Sequence, residues 1–555
     1  MSLPDFDSQG SLFSTAGLGA SLFAKDDRYR LFATVVYPHL VRVRPQMAAA
    51  YSTGTGRTAI EPVLMLGVCL LQYLDGIPDR QAVDWLRYHA GWNFALNRQL
   101  GDPLFHPSSL SRFRDRLEEK GLGALGFQAI LDGLVAAGLV RRNAHQRLDS
   151  TQVLGLVSKM SRVEGVRHTV RLALEEIAGS GALKEPRPEG WSQWWSNYVE
   201  SQLDYRASRE VLGRKLIEVG NDAARILKWV GEHPALAALE QVQLLARVFG
   251  EQFVVETDGP RARGKGELDS GRVQNPMDPE ATYGVKQQGG EMRSHLGYKA
   301  QVAESVCEQT LEKGEPTRNF VTSVVIQPAH HSDEAGSEQS ARAQVALGLE
   351  APPVLYVDGA YLSAAKLVEA QAQGRELIGP AQSAPRRTEG AYTVEDFAVE
   401  VEKRHAVCPA GKDNDQCSSL DDTKGQRARQ YRLEWNRSTC GQCSLRGRCL
   451  GEGQNHKSIV VSEHHTALQR RRLEQKTESF RQRMRHRAAI EGTQSELVRA
   501  HGLRRARYRG LAKVQVQGWM SGAACNIKRW LRREAWTLKQ ASRSQTAKRG
   551  GGDLA

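Results

Sequence analysis

The chain has 555 residues, with 76 Lys plus Arg against 63 Asp plus Glu (net charge +13), 40% hydrophobic and 25% charged residues. That length exceeds one ordinary hydrophobic core and calls for about three or four domains, or one core with large insertions. No apolar run is long enough to span a membrane, eight cysteines are too few for a secreted disulfide scaffold of this size, and the opening MSLPDFDSQGSLFS lacks a signal pattern, so a cytoplasmic protein is expected.

The charge is uneven. From Arg470 to Ala555 there are 22 Lys plus Arg and 6 Asp plus Glu, so this end carries +16 and the remaining chain is near −3. Clustered cations reward phosphate neutralisation and counterion release, and these are mostly Arg interleaved with Trp519, Trp530 and Trp536. Nucleic acid is the expected partner; a membrane surface or plain solubility is the alternative.

In chain order, residues from about 30 to 120 read as helices. Ile60 to Leu74 has a broad apolar face, Asp79 is placed to cap Arg80 to His89, and Ser108 or Ser109 to cap Leu110 to Glu119. An all-helical N-terminal domain, 1–125, is expected. In its last helix Arg112 and Arg116 share a face, which is either a phosphate-contact surface or a solvated amphipathic one. The segment 126–156 brings a strand to Asp149 and opens an α/β core. Residues 157–250 carry helical patterns only and read as an insertion, in which Trp191, Trp194, Trp195 and Tyr198 pack between helices or, alternatively, stack on an unpaired base. The core resumes over 251–400. It has strand-like runs at His295 to Glu304 and Asn319 to Pro328, a helix from Ser332 to Leu347, a strand from Val354 to Asp358, a second helix and the short run Glu376 to Ile378.

Five cysteines cluster in the segment 401–460. Cys440-x2-Cys443 has the tight spacing of a structural zinc site, with Cys449 as third ligand and Cys408 as fourth; Cys417, His405 and His456 are substitutes, and a metal-free thiol cluster is the alternative. Residues 461–535 form an Arg-rich helical region that contains Glu491. The basic tail 536–555 is expected to be disordered.

Three acids in these settings suggest one site. Asp358 closes a buried strand at its C-terminal end, where open α/β sheets place ligands. Asp149 ends a plausible first strand, and a helix carries Glu491. Two strand carboxylates and one helix carboxylate make an oxygen-only set that suits magnesium, and two such ions stabilise both the attacking and the leaving oxygen of an in-line displacement. Each acid also has an ordinary reading as a turn, cap or surface residue. The chain contains no G-x-x-x-x-G-K-[ST] loop, no H-E-x-x-H helix and no dinucleotide fingerprint, so chemistry without ATP is expected.

Several motifs in order resemble the bacterial insertion-sequence DDE transposases, in particular the group named insertion sequence eleven-eighty-two: GRTAIEPVLMLGVCLLQYLDGIPDRQAVDWL, HPSSLSRFRDRL, LDST, DPEATYG, GYKAQVAES, VDGAYLS, the Cys segment, IEGTQSE and GLRRARYRGLAKVQVQ. The resemblance implies an RNase H-like core in which Asp149, Asp358 and Glu491 bind two magnesium or manganese ions. It also implies that the protein cuts the terminal inverted repeats of its own element and joins them to target DNA. Arg487, four before Glu491, fits the family's helix signature as a phosphate-steadying residue, but the Tyr and Lys positions of that signature hold Met484 and Val498. Arg499 stands one residue beyond the second of these, and Glu496 is the rival third acid. Arg504, Arg505, Arg507 and Arg509 are expected to bind DNA backbone, the N-terminal helices to read sequence, and two DNA ends to require a homodimer. A silent DNA-binding copy, or a nuclease of the same core without strand transfer, are the competing readings.

Overall fold

The computed structural model describes the chain except residues 1, 4–20, 53–55, 100, 183–186, 203–207, 289–290, 385, 421–427 and 551–555. Toward the N-terminus the chain forms, among shorter helical turns, α1 (Pro62–Asp75), α2 (Asp79–Tyr88), α3 (Ser108–Glu119) and α4 (Leu125–Ala136). Pro62 at its first turn and a left-handed Gly76 at its end (φ 68) bound α1, which is buried almost all round. A helix apolar on every side needs neighbours on every side. The N-terminal helices therefore share one core with the sheet and with the C-terminal helix, instead of standing as a separate unit. Asp79 does not cap α2; it is the first helical residue and its carboxylate accepts from Arg114 at 2.6 Å. The cap position of α3 is Pro107, which makes no side-chain capping bond, and the Ser108 hydroxyl pairs with His106 Nδ1 at 2.8 Å instead.

The central sheet contains β1 (Gln146–Leu154), β2 (Thr282–Gln288), β3 (Glu291–Ser305), β4 (Val321–Pro328), β5 (Val354–Tyr356) and β6 (Glu376–Ile378). β3 pairs antiparallel with β1 on one side; on the other it pairs with β2 along its first half and β4 along its second. β5 adds to β1 in parallel and β6 to β5 in parallel, giving a mixed sheet. The insertion between β1 and β2 is helical, with α5 (Arg162–Gly179), α6 (Arg209–Gly231) and α7 (Glu240–Gln252) around a core of its own, followed by a short hairpin. Trp191, Trp194 and Tyr198 lie inside that core, where the Tyr198 hydroxyl donates to Asp222 at 2.6 Å, so packing and not base stacking accounts for them.

α8 (Asp333–Ala346) lies on β3 and β4, with Ser332 as its N-cap, and α9 (Ala364–Ala372) connects β5 to β6. After β6, a three-stranded antiparallel sheet of β7 (Gln416–Leu420), β8 (Gln430–Trp435) and β9 (Lys457–Ser462) forms the cysteine segment around a separate small core. Three helices come next: α10 (His465–Glu474), α11 (Glu478–Ala488) and α12 (Ile490–Ala500). The chain then enters α13 (Leu511–Gly550), which packs on α1, α4 and β4. Of the tail 536–555, expected to be disordered, α13 takes in residues as far as Gly550, and 551–555 lie outside the described residues. A helix already nucleated by a buried N-terminal half extends cheaply through Lys, Gln, Ala and Arg, all good helix formers.

Candidate active site

Two aspartates reach the site from neighbouring parallel strands. The register pairs Gln146 with Leu355 and Arg147 with Tyr356, so Asp149 and Asp358, each two residues further on, stand level. Both are held alike. Asp149 Oδ1 accepts the Ser150 N–H at 2.8 Å and Asp358 Oδ1 accepts the Gly359 N–H at 2.6 Å. Each Oδ2 is left to face the same cation: Arg487 Nη2 lies 3.0 Å from Asp149 Oδ2 and 3.4 Å from Asp358 Oδ2, while Nη1 donates to Glu491 Oε1 at 3.4 Å. Asp149, Asp358 and Glu491 are respectively 15%, 52% and 71% exposed, so the cluster is open to solvent on the Glu491 side.

The helix break at Ala489 places Arg487 in the last turn of α11 and Glu491 in the first turn of α12, four apart and on one face. Two bonds stitch these helices to β1. Arg147 donates to the His486 carbonyl at 2.8 Å, and the Gln494 side-chain amide donates to the Ser150 carbonyl at 3.2 Å. Beneath them lies a buried ion network that sequence reasoning missed. Glu304 on β3, fully enclosed, accepts from Arg147 at 2.6 Å, from Thr493 at 2.7 Å and from Arg529 of α13. Buried charges persist only when paired and hydrogen-bonded. The one sequence signal for this network was a Glu within the apolar alternation of β3.

Glu496, the rival third acid, faces the other way. It pairs with Lys528 at 2.9 Å and Arg529 at 3.0 Å; burial pushes its carboxyl up, but the two cations outweigh that and hold it at about 2. Among the described residues, the group with ligand atoms all within 4.8 Å of one another is Glu496, His501 and Cys525. Both oxygens of Glu496 are already spent on Lys528 and Arg529, so this group carries the signature of an ion-pair joint and not of a metal centre.

The basic residues divide. Arg499, Arg504, Arg505, Arg509 and Arg112 are exposed. Residues 504–506 lie along the end of β1, where Leu154 N donates to Arg504 O at 2.9 Å and Ala506 N donates to Leu154 O at 2.8 Å. That end is five residues past Asp149, or ~16 Å at strand rise. Arg507 instead lies over the Tyr73 ring and Arg116 over the Tyr51 ring, each at 4.5 Å.

Cys408, Cys440, Cys443 and Cys449 line one small cavity of about 30 Å³, with Lys457 beside them. Cys417, His405 and His456 do not line it; His405 is paired with Asp413 at 2.9 Å. The four thiols face a common space without any three being gathered within 4.8 Å.

Carboxylates from one strand, from just past the end of its neighbour and from a helix thus converge on one guanidinium in a cluster open to solvent on the Glu491 side. Residues 407–531 match the family described as transposase DDE domain, and residues 19–116 match the family described as transposase domain (DUF772). Both matched segments are thus similar to transposase families, one toward each end of the chain, and they indicate a transposase function. The first match spans the cysteines, Arg487, Glu491 and the buried half of α13; Asp149 and Asp358 lie between the two matches. No curated protein matches the chain. Among the described residues, no helix is long and apolar enough to cross a membrane.

Proposed function

We propose that this chain is a transposase of the eleven-eighty-two insertion-sequence group that binds the terminal inverted repeats of its element, cleaves the ends and joins them to target DNA. The observation that carries the reading is the convergence of Asp149, Asp358 and Glu491 on the single guanidinium of Arg487. The sheet, in which β4, β3 and β1 pair antiparallel in turn, β2 adds to β3, and β5 and β6 follow parallel to β1, supports an RNase H-like core. The donor set fits hard divalent ions, because it is all carboxylate, both aspartates turn an Oδ2 to one point, and the far side is open for substrate. Two magnesium or manganese ions would supply activation of the attacking oxygen and stabilisation of the leaving one.

The chain's own residues do the rest. Asp149 and Asp358 hold the shared position from a rigid strand pair, and Glu491 closes it from the helix. Arg487 steadies the scissile phosphate. Arg499, Arg504, Arg505, Arg507 and Arg509 hold duplex backbone, and Arg112 and Arg116 offer a phosphate-contact surface on the N-terminal helices, which read sequence. The two ends of one element would be held by a homodimer. The test is cleavage of a labelled duplex carrying the element's ends, with magnesium, by the natural chain and by Asp149→Asn and Asp358→Asn. The natural chain alone should cut, while all three bind; binding by all three with cutting by none, the natural chain included, would leave a silent DNA-binding protein. Cleavage without joining to a second duplex would leave a nuclease.

We also read Cys408, Cys440, Cys443 and Cys449 as a structural zinc site. The support is that these four line one small cavity, with Lys457 beside them to offer a cation to a tetrathiolate. Metal analysis of purified, folded protein should give one zinc per chain, lost in Cys440→Ser; a folded zinc-free sample would overturn this.

A further inference from the structure

We infer that Arg487 is an exchangeable counter-cation, holding the three carboxylates together until substrate phosphate draws it away, so that metal loading is coupled to DNA binding. This rests on the metal-site reading of Asp149, Asp358 and Glu491. Three geometric facts carry it. The guanidinium contacts Asp149, Asp358 and Glu491 through its two Nη atoms at 3.0–3.4 Å, so it sits at the point the two Oδ2 atoms share. A divalent ion binds carboxylate oxygen at about 2.0–2.1 Å, and at those same oxygens it would press against the guanidinium as a like charge. Ion and guanidinium therefore exchange at this point; they do not add. Lastly, the Arg487 Nε is buried without a hydrogen-bond partner among the described residues.

That last fact gives the exchange a direction. An unmade hydrogen bond on a buried donor is costly, and an arginine fork is best satisfied by a planar anion that takes Nε and Nη together. The three carboxylates engage only the Nη edge. A phosphodiester entering from the exposed Glu491 side offers both acceptors to a side chain that swings outward. Leaving the carboxylates then completes the hydrogen bonding of Arg487 and uncovers both Oδ2 atoms in one movement. Linkage makes the effect reciprocal: duplex tightens metal, and metal tightens duplex, by the same factor. A transposase wired in this way stays unloaded away from its ends.

The experiment is manganese binding by the full chain, read as loss of the free-ion electron paramagnetic resonance signal, with and without a duplex carrying the element's ends. The natural chain should bind manganese about tenfold more tightly with duplex, a coupling of ordinary allosteric size. Arg487→Gln should bind it tightly without duplex and gain little on adding it, and Arg487→Lys, which cannot span three carboxylates, should fall between. Folding of each variant is checked by its circular dichroism. Equal manganese affinity in the natural chain with and without duplex, or weaker binding in Arg487→Gln, would overturn the exchange. The failure of the metal-site reading looks different: manganese binding that Asp149→Asn leaves unchanged.

Discussion

At His501 the imidazole is enclosed between α12, α1 and α13. Nδ1 donates to the Tyr73 carbonyl at 3.2 Å, which leaves Nε2 as the unprotonated nitrogen, buried and without a hydrogen-bond partner among the described residues. Burial pushes this histidine from its usual value near 6.5 down to about 4. The sign comes from proton counting. Between those values the unfolded chain holds a proton that the folded chain refuses, so stability is complete above about pH 6.5 and is lost as the pH falls toward 4. At ~1.4 kcal/mol per pH unit the loss from this residue reaches about 3 kcal/mol. Urea midpoints measured from pH 7 to 4.5 should fall for the natural chain. They should fall less for His501→Gln, which keeps a donor for Tyr73 and removes the titration; an unchanged slope would contradict the buried neutral state. Glu496, held at about 2, adds a second loss only below its usual carboxylate range. Nothing in the sequence around His501 announces this role, because it depends on Tyr73, more than 400 positions away, closing over the ring.

Among elements, the decisive packing is α13 against β4. β4 lies at the edge of the sheet, and an uncovered edge invites pairing with another chain. Here two side chains of α13 stand in for the missing strand. Asn526 accepts from Val321 N and donates to Val321 O, both at 2.8 Å; Gln515 accepts from Ile326 N at 2.7 Å and donates to Val324 O at 2.8 Å. Gly518 and Gly522 allow the approach, since a Cβ at Gly522 would lie 2.9 Å from the Phe127 ring and 3.0 Å from Val324. Asn526→Ala strips two buried backbone groups of their partners and should cost about 2–4 kcal/mol in denaturant unfolding. Asn526→Asp, which keeps the acceptor and loses the donor, should destabilise as well. The sequence revealed much at this scale. β4, β5 and β6 are visible as apolar runs bounded by turns, α8 as the helix expected from Ser332 to Leu347, Asp149 as an acid on a strand and Asp358 as one just past a strand's end. β2 escaped notice because its TYGVKQQ has little apolar alternation, and its place is set by pairing with β3. The break at Ala489 escaped for the opposite reason, since RHRAAIEG is continuous helix by propensity.

Across the whole molecule, the +16 of residues 470–555 overstates the surface available to DNA. Arg529 is buried against Glu304 and Glu496, Arg471 is buried and donates to the Gly379 carbonyl, Arg483 is paired with Glu376 at 2.6 Å, and Arg533 with Glu315 at 3.3 Å. These cations tie α10, α11 and α13 to the sheet and its connections. Charge counting cannot separate them from Arg499, Arg504, Arg505 and Arg509, which stand exposed, Arg504 and Arg505 at the end of β1. The distinction is measurable through salt. Each phosphate neutralised on a duplex contributes about 0.9 to the slope of log affinity against log salt concentration. Replacing Arg504, Arg505 and Arg509 together by Gln should therefore flatten that slope by roughly 2–3 and weaken binding to any duplex, with little change in thermal stability. Replacing Arg529 by Gln should do the reverse: it leaves Glu304 and Glu496 short of a partner, lowers stability by about 3–5 kcal/mol, and leaves the slope for whatever remains folded unchanged. If the exposed triple variant kept the natural slope, the DNA path would run elsewhere, and the basic face of α13 around Arg532 and Arg543 would be the surface to test next.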